Sequence, residues 1–155
     1  MNLNHEQTIA YDKAAFFCSR SEHCSSEVLE KLKLWGLQEE EAIPVIEKLT
    51  KEKYIDDERF ARAYVKDKFR FNHWGKQKIA YMLRAKNISA EILELAFEEI
   101  QEEKYSDDLQ KLLADKEKSI KAKDKYDKRN KLMRFALGRG FESAEIYAAF
   151  KALNI

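Results

Sequence analysis

Tyr54-Ile55-Asp56-Asp57-Glu58-Arg59-Phe60-Ala61-Arg62-Ala63-Tyr64-Val65-Lys66-Asp67-Lys68-Phe69 is the stretch whose reading decides the fold. Phe60, Ala61, Tyr64, Val65 and Phe69 recur at steps of three and four, the apolar stripe of an amphipathic helix. Asp56 and Asp57 stand just ahead of it, where a carboxylate accepts from free helix N–H groups and opposes the positive dipole end. The spacing predicts a helix over 56–71. Working outward, Ile79, Met82 and Leu83 give a second helix over 75–86, and Ile92, Leu93, Ala96, Phe97 and Ile100 a third over 90–103. Asn87 closes the second helix, because Asn and Gly tolerate the left-handed conformation at a helix C-terminus. Ser89 is placed to cap the third.

The frame repeats along the chain. Gly36-Leu37, Asn87-Ile88 and Gly140-Phe141 form one anchor. Eight residues before it lie Val28, Ile79 and Leu132; four before lie Leu32, Leu83 and Ala136; six after lie Ala42, Leu93 and Ile146. Tyr54-Ile55-Asp56-Asp57 is matched by Tyr105-Ser106-Asp107-Asp108, so Asp107 is expected to cap the first helix of a third copy and Ser143 its last. Three units follow: 1–55, 56–106 and 107–155. The first helix of the first unit falls at about 6–19, and Pro44 must sit in the first turns of its third helix or bend it. A three-helix unit has a thin core, so neighbours share apolar faces as in helical solenoids. The expected fold is all-α: three tandem three-helix repeats stacked into an elongated, curved body.

Composition agrees. Among 155 residues there are four Gly and one Pro, too few for the tight turns of a sandwich or barrel. The longest run without Asp, Glu, Lys or Arg is six residues, Ala14 to Ser19, far short of the roughly 20 apolar residues of a membrane span. No basic-then-apolar leader opens the chain, and two cysteines make no disulfide framework, so a cytoplasmic address is expected; the expected oligomeric state is a monomer. The net charge of +1 hides alternating blocks: 59–86 is net +8, 87–108 net −7 and 110–139 net +7. Such blocks suit a polymer presenting both signs, or the pairing of opposite faces within one bundle.

The middle unit, with Gly75-Lys76-Gln77-Lys78-Ile79, Leu83 and Asn87-Ile88 following the opening stretch, resembles the RecX family of regulators of the RecA recombinase. Glu27-Val28, Lys31-Leu32 and Gly36 are similar to the family in the first unit, and the likeness weakens in the third. His23-Cys24 stands where the family usually has Arg-Ser, and Asn87 where it has Gly. The family motif assigns Tyr54, Asp56, Asp57, Phe60, Ala61, Gly75, Ile79 and Leu83 structural roles. The resemblance implies a body of tandem three-helix repeats that binds in the groove of the RecA filament on DNA and blocks strand exchange and coprotease function, with no cofactor.

For the partner or DNA face, the residues point to the basic block: Arg59, Arg62, Lys66, Lys68, Arg70, Lys76, Lys78, Arg84 and Lys86, with Trp74 in the loop Asn72-His73-Trp74-Gly75. Flexible cations contact phosphates without reading sequence, and a loop Trp among them can stack on a base or pack back over the helix junction. Arg62, Lys66, Arg70 and Lys78 are expected to point outward. Phe60, Tyr64, Tyr81, Phe97 and Phe150 lie on apolar stripes and are expected in the core. Cys18, His23 and Cys24 lack zinc-site spacing, and neither a phosphate-cradling Gly loop nor a nucleophile elbow is present. The expected function is therefore non-enzymatic regulation of RecA; the alternative is a helical-repeat adaptor or nucleic-acid-binding protein acting on another partner.

Overall fold

A computed structural model describes residues 2–155. Its helices are α1 (His5–Arg20), α2 (Ser25–Leu34), α3 (Glu39–Lys51), α4 (Asp57–Asn72), α5 (Lys76–Ala85), α6 (Ala90–Ala96), α7 (Glu102–Glu117), α8 (Lys125–Gly138) and α9 (Ser143–Leu153). A 3₁₀ turn, Phe97–Glu99, extends α6, and among the described residues there is no strand. No helix in that range is long and apolar enough to cross a membrane. Each successive trio packs within itself, α1 against α3, α4 against α6 and α7 against α9. The result is an elongated row of three-helix units.

The anchor reading holds at atomic detail. Gly36, Asn87 and Gly140 all have positive φ (98°, 61° and 97°). Behind each, the same bond recurs: Leu37, Ile88 and Phe141 donate their N–H to the carbonyls of Leu32, Leu83 and Ala136 at 3.1–3.2 Å. This is the six-residue closure that satisfies orphan helix carbonyls. Val28, Ile79, Leu132, Leu32, Leu83 and Ala136 are all buried without residue. Pro44 is the sixth residue of α3, still in its second turn, and α3 runs unbroken to Lys51.

The second anchor does not hold. Tyr54 lies in the loop before α4, whereas Tyr105 is buried inside α7, whose N-cap is Gln101. Asp107 therefore sits in the second turn of α7 and caps nothing. The cause lies in α6, which ends at Ala96 instead of running to 103. Glu98 and Glu99 would stand at its negative dipole end, whereas Glu102 and Glu103 favour the positive end of a new helix. We propose 100–101 rather than 106–107 as the unit boundary. Ser143 is likewise the first helical residue of α9, with Glu142 at the cap position. Asp56 and Ser89 do cap, accepting from the N–H groups of Arg59 and Ile92.

Two cores hold the row together. One belongs to the first unit; the other is shared by the second and third and also takes in Cys24. The first joint also carries polar contacts. The Asp57 carboxylate accepts from the Ser25 N–H and hydroxyl (2.8 and 3.0 Å), and Ser26 donates to the Lys86 carbonyl (2.6 Å). The second joint is backbone on backbone: Gly75 N–H donates to the Arg139 carbonyl (2.7 Å) and Gln77 N–H to that of Gly140 (2.9 Å). Beside it the buried Tyr105 hydroxyl donates to Glu142 (2.7 Å) and accepts from Lys76 N–H (2.8 Å).

The first joint carries a pH dependence. Burial alone would raise the Glu27 carboxyl, but the Lys86 ammonium (2.9 Å), the Cys24 N–H and His23 outweigh it and hold it below its ordinary 4.5. A carboxyl depressed in the folded state adds stability above its unfolded pKa and loses it as pH falls through the folded one. We expect a carbon-detected titration to place Glu27 below 4.5 in wild type and higher in Lys86→Met. Equal values in the two proteins would refute the assignment.

Candidate functional site

The basic block does not form one face. Four of its cations are engaged in holding the fold. Arg59 pairs with Glu22 at the first joint, and Lys86 with Glu27 (2.9 Å). Lys76 pairs with Glu102 (2.6 Å) and lies over the Tyr105 ring. Arg62 does not point into solvent as expected: it meets Glu98 (2.9 Å), Glu58 (2.9 Å) and Glu99 (3.0 Å), which together raise its pKa above the usual arginine value. Without that guanidinium three carboxylates face one another. Arg62→Gln is expected to lower the melting temperature, and Glu98→Gln in that background to restore part of it. Unchanged melting in Arg62→Gln would show that the cluster has no net effect.

Apart from Arg84, the remaining cations divide into two sets. Lys68 and Lys78 lie over the half-buried Trp74, 5.0 and 4.6 Å from the ring, and Lys68 also over Tyr64. Trp74 is thus packed back on the shared core with both cations against it. Tyr81, expected in the core, is 71 % exposed on α5, and Arg84 is exposed with no carboxylate within 4.0 Å among the described residues.

Lys66 and Arg70 form the second set, which the fold completes from elsewhere. Spaced i, i+4 on α4, they make one wall of a cleft of about 610 Å³ whose floor is Phe69. The facing wall is α7, with Lys104, Asp107, Asp108 and Lys111 at i, i+3, i+4 and i+7, hence on one side of the helix. Glu99 closes one end, 3.9 Å from Lys66; His73 Nδ1 holds Asp108 (3.0 Å). Four cations and three carboxylates therefore line one groove, with Arg70, Lys104, Asp107 and Lys111 exposed. Lys104 and Lys111 were missed because each lies in a different charge block. The i, i+3, i+4, i+7 stripe reveals them once α7 starts at Glu102.

Three-helix units in tandem, with a charged groove between α4 and α7, define a helical-repeat protein. Family models give the class a name: those described as RecX first, second and third three-helix domains match residues 10–49, 56–96 and 102–150. The regulatory protein RecX of Clostridium tetani is 34 % identical over 127 residues, 81 % of this chain and 58 % of that one. That of Prosthecochloris aestuarii is 32 % identical over 138 residues, 88 % of either chain. The crystal structure of RecX from Lactobacillus salivarius superimposes with a TM-score of 0.85 over 96 % of this chain and 97 % of its own, at 23 % identity, a likeness of fold. The chain belongs to the RecX family of regulatory proteins. It spans 53–58 % of the length of several clostridial and bacillar relatives that it matches.

Proposed function

We propose that this chain regulates RecA by binding the RecA–DNA filament and inhibiting its recombinase and coprotease activities, as a cytoplasmic monomer with no chemistry of its own. Membership of a family of regulatory proteins supports RecA as the partner. The observation that carries the mode of contact is the two-signed α4–α7 groove. A filament of protein on DNA presents carboxylates, ammonium groups and phosphates at a regular repeat, and a groove with Lys66, Arg70, Lys104 and Lys111 set against Asp107 and Asp108 complements such a surface. Several units in a row multiply weak contacts. Lys68 and Lys78, held over Trp74 and without a carboxylate partner among the described residues, add two cations for the phosphates of a DNA strand. The test is RecA-dependent strand exchange and ATPase on single-stranded DNA with the chain titrated in. Inhibition at less than one chain per RecA supports the reading; no effect at any ratio from the folded protein overturns it.

A further inference from the structure

The first unit carries a cleft that the filament reading does not use. On α1, Lys13, Phe16, Phe17 and Arg20 are spaced i, i+3, i+4 and i+7, so they share one side of the helix, with the two cations about 10 Å apart along its axis. Trp35, just past the end of α2, completes the lining of an open, mostly apolar cleft of about 450 Å³. Phe16 is 63 % exposed. Phe17 makes the floor, with His23 stacked on it at 3.7 Å.

Both cations that line this cleft rest on a ring, Arg20 over Phe16 (5.6 Å) and Lys13 over Trp35 (5.7 Å), and Lys31, outside the lining, lies over Phe17 (5.3 Å). None of the three has a carboxylate within 4.0 Å among the described residues, whereas most cations of the second unit's basic block are paired or packed over Trp74. One exposed ring and two half-buried ones, with unneutralised cations at both ends, call for an occupant that is apolar in the middle and anionic at its flanks.

We propose that this cleft binds a helical segment of a partner protein carrying two adjacent large apolar side chains, with a carboxylate about one turn before and one turn after them. That pattern mirrors the cation–Phe–Phe–cation stripe of α1 and is the helix-in-groove mode of recognition. A nucleic-acid strand fits less well. The unit carries a net charge of −3 over residues 1–55, which opposes a continuous polyphosphate while leaving two local carboxylates welcome. The cleft's polar side chains are also taken: Ser21 bonds His23 (2.9 Å), whose other ring nitrogen meets Glu27 (3.3 Å), so neither is spare to read a base edge. The proposal is independent of the RecA reading, since its test contains no RecA.

Three fluorescein-labelled probes are titrated with the full chain and followed by anisotropy: an alanine-based peptide with the pattern Glu-x-x-Leu-Phe-x-x-Glu, the same peptide with both Glu replaced by Gln, and oligo(dT). The acidic peptide is expected to bind, and the Gln peptide at least tenfold more weakly. Phe16→Ser and the double variant Lys13→Glu/Arg20→Glu, both at exposed positions of α1, are expected to weaken the acidic peptide at least tenfold with unchanged circular dichroism. No binding of the acidic peptide overturns the proposal. So does equal binding of the Gln peptide, retention by Phe16→Ser, or tighter binding of oligo(dT) lost in the same variants. Should Phe16→Ser unfold, the charge-reversal variant decides on its own.

Discussion

Gly140→Ala is expected to cost at least about 3 kcal/mol and to lower the melting temperature by roughly 6–12 °C, at about 2–4 °C per kcal/mol for a chain of this size. Two costs meet at this position. Its φ of +97° is one that side chains rarely adopt, and an added Cβ would lie 2.3 Å from Lys78 Cβ and 2.6 Å from the Lys78 nitrogen. Three other glycines separate these causes. Gly36 has the same φ but open space, so Gly36→Ala measures backbone strain alone, about 1 kcal/mol. Gly75 has an ordinary φ of −78°, but its Cβ would lie 2.3–2.4 Å from the backbone of Gly140 and Phe141, so Gly75→Ala measures the joint alone, at about 1–3 kcal/mol or more. Gly138, the last residue of α8, has neither strain nor neighbour, and Gly138→Ala is expected to be neutral or stabilising by up to about 1 kcal/mol. Thermal melts of the four variants check the assignment. Gly75→Ala and Gly138→Ala melting alike would mean that the second joint tolerates separation of the units, and the shared core would have to be reconsidered.

That series rests on features the sequence displays unevenly. The anchors at Gly36, Asn87 and Gly140 were legible because a left-handed helix end demands a particular residue type, and the apolar slots before them because burial demands another. The likeness of Tyr54 to Tyr105 misled, since a repeated string is not a repeated environment: one Tyr is 37 % exposed and the other 1 %. Tyr81 misled for a related reason. It sits two residues past Ile79, on the side of α5 turned from the core, and only its aromatic character put it on the stripe. At the candidate site, local spacing found Lys66 and Arg70, but Arg62, one turn away on the same side, is consumed by Glu98 and Glu99, 36 and 37 residues along the chain. No charge count along the sequence distinguishes a cation held in the fold from one left for a partner; the packing of α4 on the 3₁₀ turn does.

Reversing the free charges of the groove is expected to weaken inhibition of RecA strand exchange far more than it weakens the fold. Lys66 and Arg70 belong to the cations not absorbed in strong pairs, Lys66 being 61 % exposed and 3.9 Å from its one carboxylate. Substitution to Glu at two exposed helix positions changes stability by a few tenths of a kcal/mol each. Across an interface, like charges placed in contact cost several kcal/mol, and each 1.4 kcal/mol is tenfold in affinity. Lys66→Glu/Arg70→Glu should therefore raise the half-inhibiting concentration at least tenfold, while Lys151→Glu, on the exposed side of α9, should leave it unchanged. Asp107→Lys then separates the two kinds of partner. A groove that meets only phosphates would bind more tightly with a fifth cation, and inhibition and binding of naked DNA would rise together with a steeper salt dependence. A groove that meets the two-signed surface of a nucleoprotein filament loses one of its carboxylate contacts, so Asp107→Lys should weaken inhibition even as it improves attraction to bare DNA. Opposite signs for those two readouts are the expected result; the same sign would reassign the groove to nucleic acid alone.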